Sequence, residues 1–436
     1  MGDVFCFCTV SAKPSIGVFP IHLSQVVVSM NGPFLRLFFF LVPGLSVFSS
    51  NALVPLVGGV AVVTAAIQFY ETRQLPRLSK LQLALLGSFF GWVIVSSVWA
   101  INPENSFQLS LRLLALTLGG LLLITAVEVQ SAAVQKQYAK ALLWGCILGA
   151  VLLLVESNLS APLTKLAKGK ALDEAMNLSR FNRGASFLGI ACWALFAIYR
   201  AHLPRLLRVI LPVLPVGVLY FAPSESSLLA VSLGGLWYLM FYLKPRLGFR
   251  LLPVLMITSI LLMPWIVQKI EPLYGPESSQ SIPFSAKHRF FIWDFVGAQI
   301  VDNPLIGYGF DSARDYPNNG VENYVHHQAD GTTRAIGGRI VSLHPHNFAL
   351  QIWLELGVIG VLLVCLIIWL LFAQLKKKGL DEDPAIQAML VSLFIVALLG
   401  YGIWQNRWFV MFFIFATLVS LVETAKQAEK NKQVDS

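Results

Sequence analysis

Two histidines separated by one residue stand at the head of a long apolar run, and their types and position suit acid–base chemistry. His344-Pro345-His346-Asn347 leads directly into Phe348-Ala349-Leu350-Gln351-Ile352-Trp353-Leu354-Glu355-Leu356-Gly357. Proline favours the first helical turn, so the spacing predicts a helix starting near Pro345. Its free N–H groups and positive dipole end would favour a phosphate there. They would also bias an adjacent imidazole towards the neutral form that accepts a proton. A plainer reading has His346 capping the helix or touching lipid headgroups.

Arg183-Gly184 repeats this placement at the head of another apolar run, with Arg180 about one turn earlier. A third basic position, Arg289, lies in Lys287-His288-Arg289-Phe290-Phe291-Ile292-Trp293, which reads as a short interfacial helix with aromatic anchors. Arginine makes forked contacts with phosphate oxygens. Singly, each arginine reads as a headgroup contact; together with His346 they read as one site. Downstream, Asn303-Pro304-Leu305-Ile306-Gly307-Tyr308-Gly309 has the composition of a turn whose glycines allow backbones to approach closely.

The elements that must carry these residues are membrane helices. Of 436 residues, 56% are hydrophobic and 13% charged, against roughly 25% charged in soluble domains. Apolar runs approach the ~20 residues that cross a hydrocarbon core. They are unbroken rather than alternating, which favours helices over a barrel. The expected class is all-α and polytopic, with about twelve spans near 34–50, 52–70, 81–101, 109–127, 139–155, 184–201, 206–222, 226–243, 250–268, 347–373, 386–402 and 406–422. Pro43 and Pro55 interrupt the first pair. Residues 1–30 read as loosely structured, with Met30 an alternative start and no signal-peptide pattern.

Lys and Arg in short loops set the orientation. With the N-terminus inside, short cytoplasmic connections carry fourteen, among them Arg73, Lys136, Arg205, Arg246 and Lys376–Lys378, while the opposite connections carry essentially Arg407. The chain then divides into a cytoplasmic segment 1–33, nine helices over 34–268 with an outer loop near 156–183, a large outer loop 269–346, three helices over 347–422 and a cytoplasmic tail 423–436. The net charge of +9 is thereby a topology signal and implies no nucleic acid. The large loop holds five of the seven histidines (His288, His326, His327, His344, His346) together with Lys287, Arg289, Arg314, Arg334 and Arg339. That excess suits an anionic partner, or is ordinary loop charge.

His344 and His346 could hold a metal with His326 or His327, but Pro345 restricts the geometry and no cysteine or clear carboxylate accompanies them. No cysteine pair suggests a disulfide framework, and no nucleotide-binding loop is present. Neither a metal nor a cofactor is expected.

These residues resemble the O-antigen ligases and related bacterial polysaccharide polymerases. The match rests on His346-Asn347, nine residues and then Gly357-Val358-Ile359-Gly360. Arg289 with Trp293, the Asn303–Gly309 turn and Asn182-Arg183-Gly184-Ala185 are similar to the family's arginine regions, Arg180 being an alternative to Arg183. The similarity spans roughly residues 180–420. The resemblance implies a metal-independent inverting glycosyltransferase in the bacterial inner membrane. It would move a glycan from undecaprenyl diphosphate to the lipid A core at the periplasmic face. In that reading His346 is the base and Arg289, Arg183 or Arg180 hold the diphosphate; Asn347, Trp293, Gly307, Gly309 and His344 support them. Related proteins extend glycan chains or glycosylate proteins, so the acceptor stays open. A lipid-linked glycan transporter would instead place ionisable residues at mid-membrane depth, and these spans are nearly free of charge. A structural scaffold would need no His/Arg constellation.

Overall fold

The structure, a computed structural model, describes residues 31–73, 78–273, 282–317, 324–327, 333–336, 340–341 and 343–434. Among the described residues, twelve longer helices organise it: α1 Asn31–Phe48, α2 Leu53–Thr72, α3 Lys80–Ser96, α4 Pro103–Glu128, α5 Ala132–Asn158, α6 Asn182–Tyr199, α7 Glu225–Phe241, α8 Pro245–Val267, α9 Phe284–Asp302, α10 Phe348–Lys377, α11 Pro384–Leu399 and α12 Asn406–Val434. Among the described residues, eight helical stretches are long and apolar enough to cross a membrane, and α1, α7 and α11 are shorter apolar helices. The protein is a multi-pass, helical membrane protein. Among the described residues the only sheet is an antiparallel pair, Tyr324–His327 with Thr333–Ile336.

Three expectations meet differences. The stretch drawn as a span over 206–222 is broken into Arg205–Ile210, Leu211–Val213 and Leu214–Tyr220. Pro212 and Pro215 lie within it, and each removes a backbone donor. Pro43, by contrast, lies inside a continuous α1, and Pro55 falls in the first turn of α2, where the missing N–H costs nothing. The 287–293 segment belongs to a 19-residue helix rather than a short interfacial one. Ile292, Val296 and Ile300 are buried at four-residue spacing, a stripe that packs the helix against the protein interior.

Packing falls into two apolar cores. The larger joins α1, α2, α4, α5, α6, α7, α11 and α12. Within it Gly145 and Gly149 of α5 lie against the α1 backbone; a Cβ on Gly145 would come 2.4 Å from the Phe40 carbonyl oxygen. Small residues four apart let membrane helices pack this closely. The second core joins α3, α8, α9, the turn after α9 and the first half of α10. The candidate site lies where the two cores meet.

A kink in α10 builds part of that junction. Gly357 has φ 60° and ψ −163°, outside the helical region, in the middle of the helix. The freed groups are re-paired by the expected glycine turn: Tyr308 donates its N–H to Leu354 O at 2.8 Å and Val358 donates to Pro304 O at 2.9 Å. Gly307 sits on the same spot with φ 66°. A Cβ on Gly357 would lie 2.4 Å from Leu305 O. Gly357→Ala is therefore expected to destabilise the fold by more than about 1 kcal/mol, measurable as a lower thermal midpoint in detergent; an unchanged midpoint would contradict this account of the kink.

Candidate active site

Helix α10 begins at Phe348, not near Pro345. Asn347 is its N-cap, accepting from Leu350 N–H at 3.1 Å. The reason is visible one residue earlier: His346 has φ 55°, the left-handed region, so the chain cannot be helical through the histidine. Pro345 thus belongs to the turn before the helix. Its carbonyl accepts from the Trp293 indole N–H at 2.9 Å, which ties the histidine turn to α9. A non-glycine residue held in this conformation costs about 1–3 kcal/mol, and such strain gathers at functional sites.

The hydrogen bonds assign the histidine tautomers. His346 Nδ1 lies 3.0 Å from Gly400 O. A carbonyl can only accept, so Nδ1 carries the proton and Nε2 keeps a free lone pair. His346 N–H donates to His344 Nδ1 at 3.1 Å. His344 therefore carries its proton on Nε2, 2.9 Å from the end of the Gln405 side chain, whose amide must be turned so that its oxygen accepts that proton. The two rings lie 4.3 Å apart. Burial brings the His346 imidazole down to about 4; the Gly400 bond opposes this, and Arg289 and His288 add to it. His344 falls to about 3, by burial first and then through His346, Arg314, Arg407 and Arg183. Both rings are neutral at pH 7. Since both values lie below the ordinary 6.5, their contribution to stability is intact above about that pH and drains as pH falls towards 4.

Arg183 lies in the first turn of α6 and Arg289 in the second turn of α9. The segment between α11 and α12 brings them together. The span drawn over 386–402 ends at Leu399, so residues 400–405 form a loop three residues longer than expected, and Tyr401 stands near its start. The Arg183 guanidinium carbon is 5.7 Å from the Tyr401 ring centre. Burial raises the Tyr401 phenol above its usual range, with Ser186 beside it and Arg183, Arg407 and Arg289 pulling the other way. It is a protonated donor at neutral pH, surrounded by three guanidiniums.

Arg407 is an addition that the residue types alone did not single out. Its Nη1 donates to Asn51 Oδ1 at 2.8 Å. Among the described residues, Arg183, Arg289 and Arg407 have no acidic partner within ion-pair distance. Glu225 acts on Arg289 only through its field, against the lowering by burial. Arg183 Nε, Arg407 Nε, Asn182 Oδ1 and Asn406 Oδ1 are buried without a hydrogen-bond partner. Buried polar atoms are normally satisfied, so this cluster has the character of a site for a polar, anionic ligand. Arg180 is held elsewhere, with Nη1 against Met176 Sδ at 3.5 Å and the guanidinium over Phe181, although its charge still reaches Arg183.

Gln351 and Glu355, one turn apart on α10, hold the surrounding loops and were also not singled out from sequence. Glu355 is fully buried. It accepts from Asp311 N–H at 3.0 Å, Gln351 Nε2 at 3.0 Å and Trp404 Nε1 at 2.5 Å. Gln351 Oε1 accepts from Ile403 N–H at 3.0 Å. The pair staples the turn after α9 and the loop before α12 to the histidine helix. Gly309, with φ 91°, lets the first of these pass the backbone of Ala100. No group of three His, Cys, Asp or Glu side chains suited to a metal occurs among the described residues. The side chains of His326 and His327 lie outside them, as do those of Arg334 and Arg339.

Residues 210–365 match the family model described as O-antigen ligase, a stretch that contains Arg289 and His346. Similar proteins include candidate polysaccharide ligases from three Rickettsia species. The one from Rickettsia conorii is 28% identical over 73% of this chain and 74% of its own length. The Rickettsia prowazekii protein is 28% identical over 76% and 78%, and the Rickettsia bellii protein 29% over 73% and 75%. No solved structure matches. The protein is a multi-pass membrane protein with a domain similar to the O-antigen ligases, and it is similar to polysaccharide-ligase relatives over about three quarters of both chains.

Proposed function

We propose that this protein is a polysaccharide ligase. It transfers a glycan from undecaprenyl diphosphate to a sugar hydroxyl of the lipid A core, by metal-independent inverting displacement at the periplasmic face of a bacterial inner membrane. The observation that carries the reading is the group of three arginines without acidic partners around Tyr401, beside a neutral histidine with an open Nε2. The relatives' description as polysaccharide ligases supports the reaction class.

Displacement at an anomeric carbon needs a base for the incoming hydroxyl and positive charge for the departing diphosphate. His346 Nε2 takes the hydroxyl proton, the acceptor oxygen bonds to the anomeric carbon from the far side, and the bond to the diphosphate oxygen breaks. The diphosphate leaves with the electron pair, held by Arg183, Arg289 and Arg407, with the Tyr401 hydroxyl as a further donor. Cleaving the sugar–diphosphate linkage supplies the driving force, so no nucleotide is required.

An imidazole at about 4 is a weak base, but an anion bound beside it favours the protonated form and raises that value. The acid limb of kcat/KM, which reports the free enzyme, is therefore expected near pH 4, and that of kcat at higher pH. Coincident limbs would remove the diphosphate from the neighbourhood of His346.

The direct test incubates purified protein with lipid diphosphate-linked glycan and candidate acceptors and identifies the product. In cells, loss of the protein should leave polymerised glycan on its lipid carrier and the core bare; accumulation of single repeat units would make it a polymerase. A reporter at Asn319 should be accessible only from the periplasm, given the charge asymmetry of the short loops. Labelling only from the cytoplasm would invert the scheme.

A further inference from the structure

Beyond the arginine cluster, on the side of the turn where His344 rather than His346 is presented, lies a cavity of about 170 Å³. Asp311, Arg314, His344, Gln405, Trp404 and Arg407 are among the residues lining it. That is room for several waters, or on the order of one pyranose ring. Its polar lining is a carboxylate, two guanidiniums, two amides, an imidazole and an indole, with Leu343 and Gly402 completing the wall. Such fixed donors and acceptors beside an aromatic surface suit a ligand with many hydroxyls and an apolar ring face.

Asp311 is the telling residue. It is 7% exposed, although burying a carboxylate opposes its charged form; burial raises its pKa, and Arg314 pulls the other way. One carboxylate oxygen meets Arg314 Nε at 3.3 Å. Its backbone is left-handed, φ 56°, and its N–H is committed to Glu355. The backbone explains why a residue that tolerates the left-handed region stands here, but asparagine and glycine would serve as well or better. Arg314 meets one oxygen of the carboxylate, and the lone pairs that remain on an ionised carboxylate are strong acceptors for hydroxyl groups.

We propose that this cavity is a sugar subsite, in which Asp311 and Gln405 hold the hydroxyls of one monosaccharide ring next to the bond being made. The proposal rests on the glycosyl-transfer reading of the neighbouring site. The ring could come from the donor glycan or from the acceptor, and the chemistry on the cavity wall is the same for both.

Calorimetry on the full chain in detergent tests it by direct binding, with no turnover required. The probes are the deacylated acceptor oligosaccharide and the glycan released from the donor, each titrated separately. Wild type should bind one of them, and which one binds names the source of the ring. Asp311→Asn should weaken that binding at least tenfold with an unchanged thermal midpoint. Asp311→Gly should weaken it equally while raising the midpoint, a combination that a purely structural aspartate would not give. Leu343→Trp, at a half-exposed position on the rim, should block binding by filling the space. Binding that survives both Asp311 variants, or no binding of either saccharide by wild type, overturns the subsite. Transfer by wild type measured alongside decides the glycosyl-transfer reading by itself, so the two failures are distinguishable.

Discussion

His346→Ala should reduce glycan transfer by about 10²–10⁴-fold, the usual worth of a positioned general base. The structure makes the expectation specific. Gly400 fixes the tautomer through Nδ1, so only Nε2 can take the proton. Asn347, not His346, caps α10, so the substitution leaves the helix start intact. The left-handed backbone at this position even makes His346→Gly a well-tolerated second variant, because glycine removes both the base and the strain. Expression, insertion and donor binding should stay near wild type in both variants. His344→Ala should be milder, since His344 acts on the turn through the His346 N–H and lacks the open position. Near-normal turnover in a folded His346→Ala protein would refute the assignment. Chelators should leave the wild type unaffected.

The arginines should show the opposite split. Arg183→Ala and Arg289→Ala are expected to raise the donor KM and also lower kcat, each by 10²-fold or more in kcat/KM, because charge on the diphosphate acts before and during bond cleavage. Lysine should restore part of the loss, keeping the charge and losing the fork. Arg407→Ala should behave in the same way, although it also loses the Asn51 contact; Asn51→Ala separates the two effects, because it removes only that contact. Arg180→Ala should be near neutral, given its position against Met176 and Phe181. Selective loss in Arg180→Ala with none in Arg183→Ala would exchange their roles. If no arginine variant changes donor affinity, the cluster is not the diphosphate site.

What the residues declared by type and spacing, and what they did not, divides along a physical line. Membrane helices announce themselves because lipid requires every span to satisfy its own backbone, leaving long apolar runs. His346, Arg183 and Arg289 stood out because charged or titratable groups next to such runs are few. The glycines at 307 and 357 were legible as a turn and a motif, and the geometry then gave the reason: each backbone occupies the space a Cβ would need. The ends of elements were less legible. Residues 400–402 are apolar enough to pass for the end of a span, whereas the helix stops at Leu399 and the Gly400–His346 and Gln351–Ile403 bonds hold the chain that leaves it.

By itself the amino-acid sequence determined a multi-pass helical membrane protein, its polar residues concentrated in a few connections, and a histidine–arginine set of the kind glycosyl transfer needs. Tertiary structure alone decided which arginines converge. Arg407, the lone positive charge of its short connection, was an exception in the charge count and is a third guanidinium beside Tyr401 in the fold. Glu355, which its place in the sequence did not single out, is the acceptor that binds two loops to α10. Convergence of this sort depends on contacts between segments distant in sequence, such as Arg183 with Tyr401. Composition and periodicity record how each segment meets lipid or core; they do not record which other segment arrives beside it.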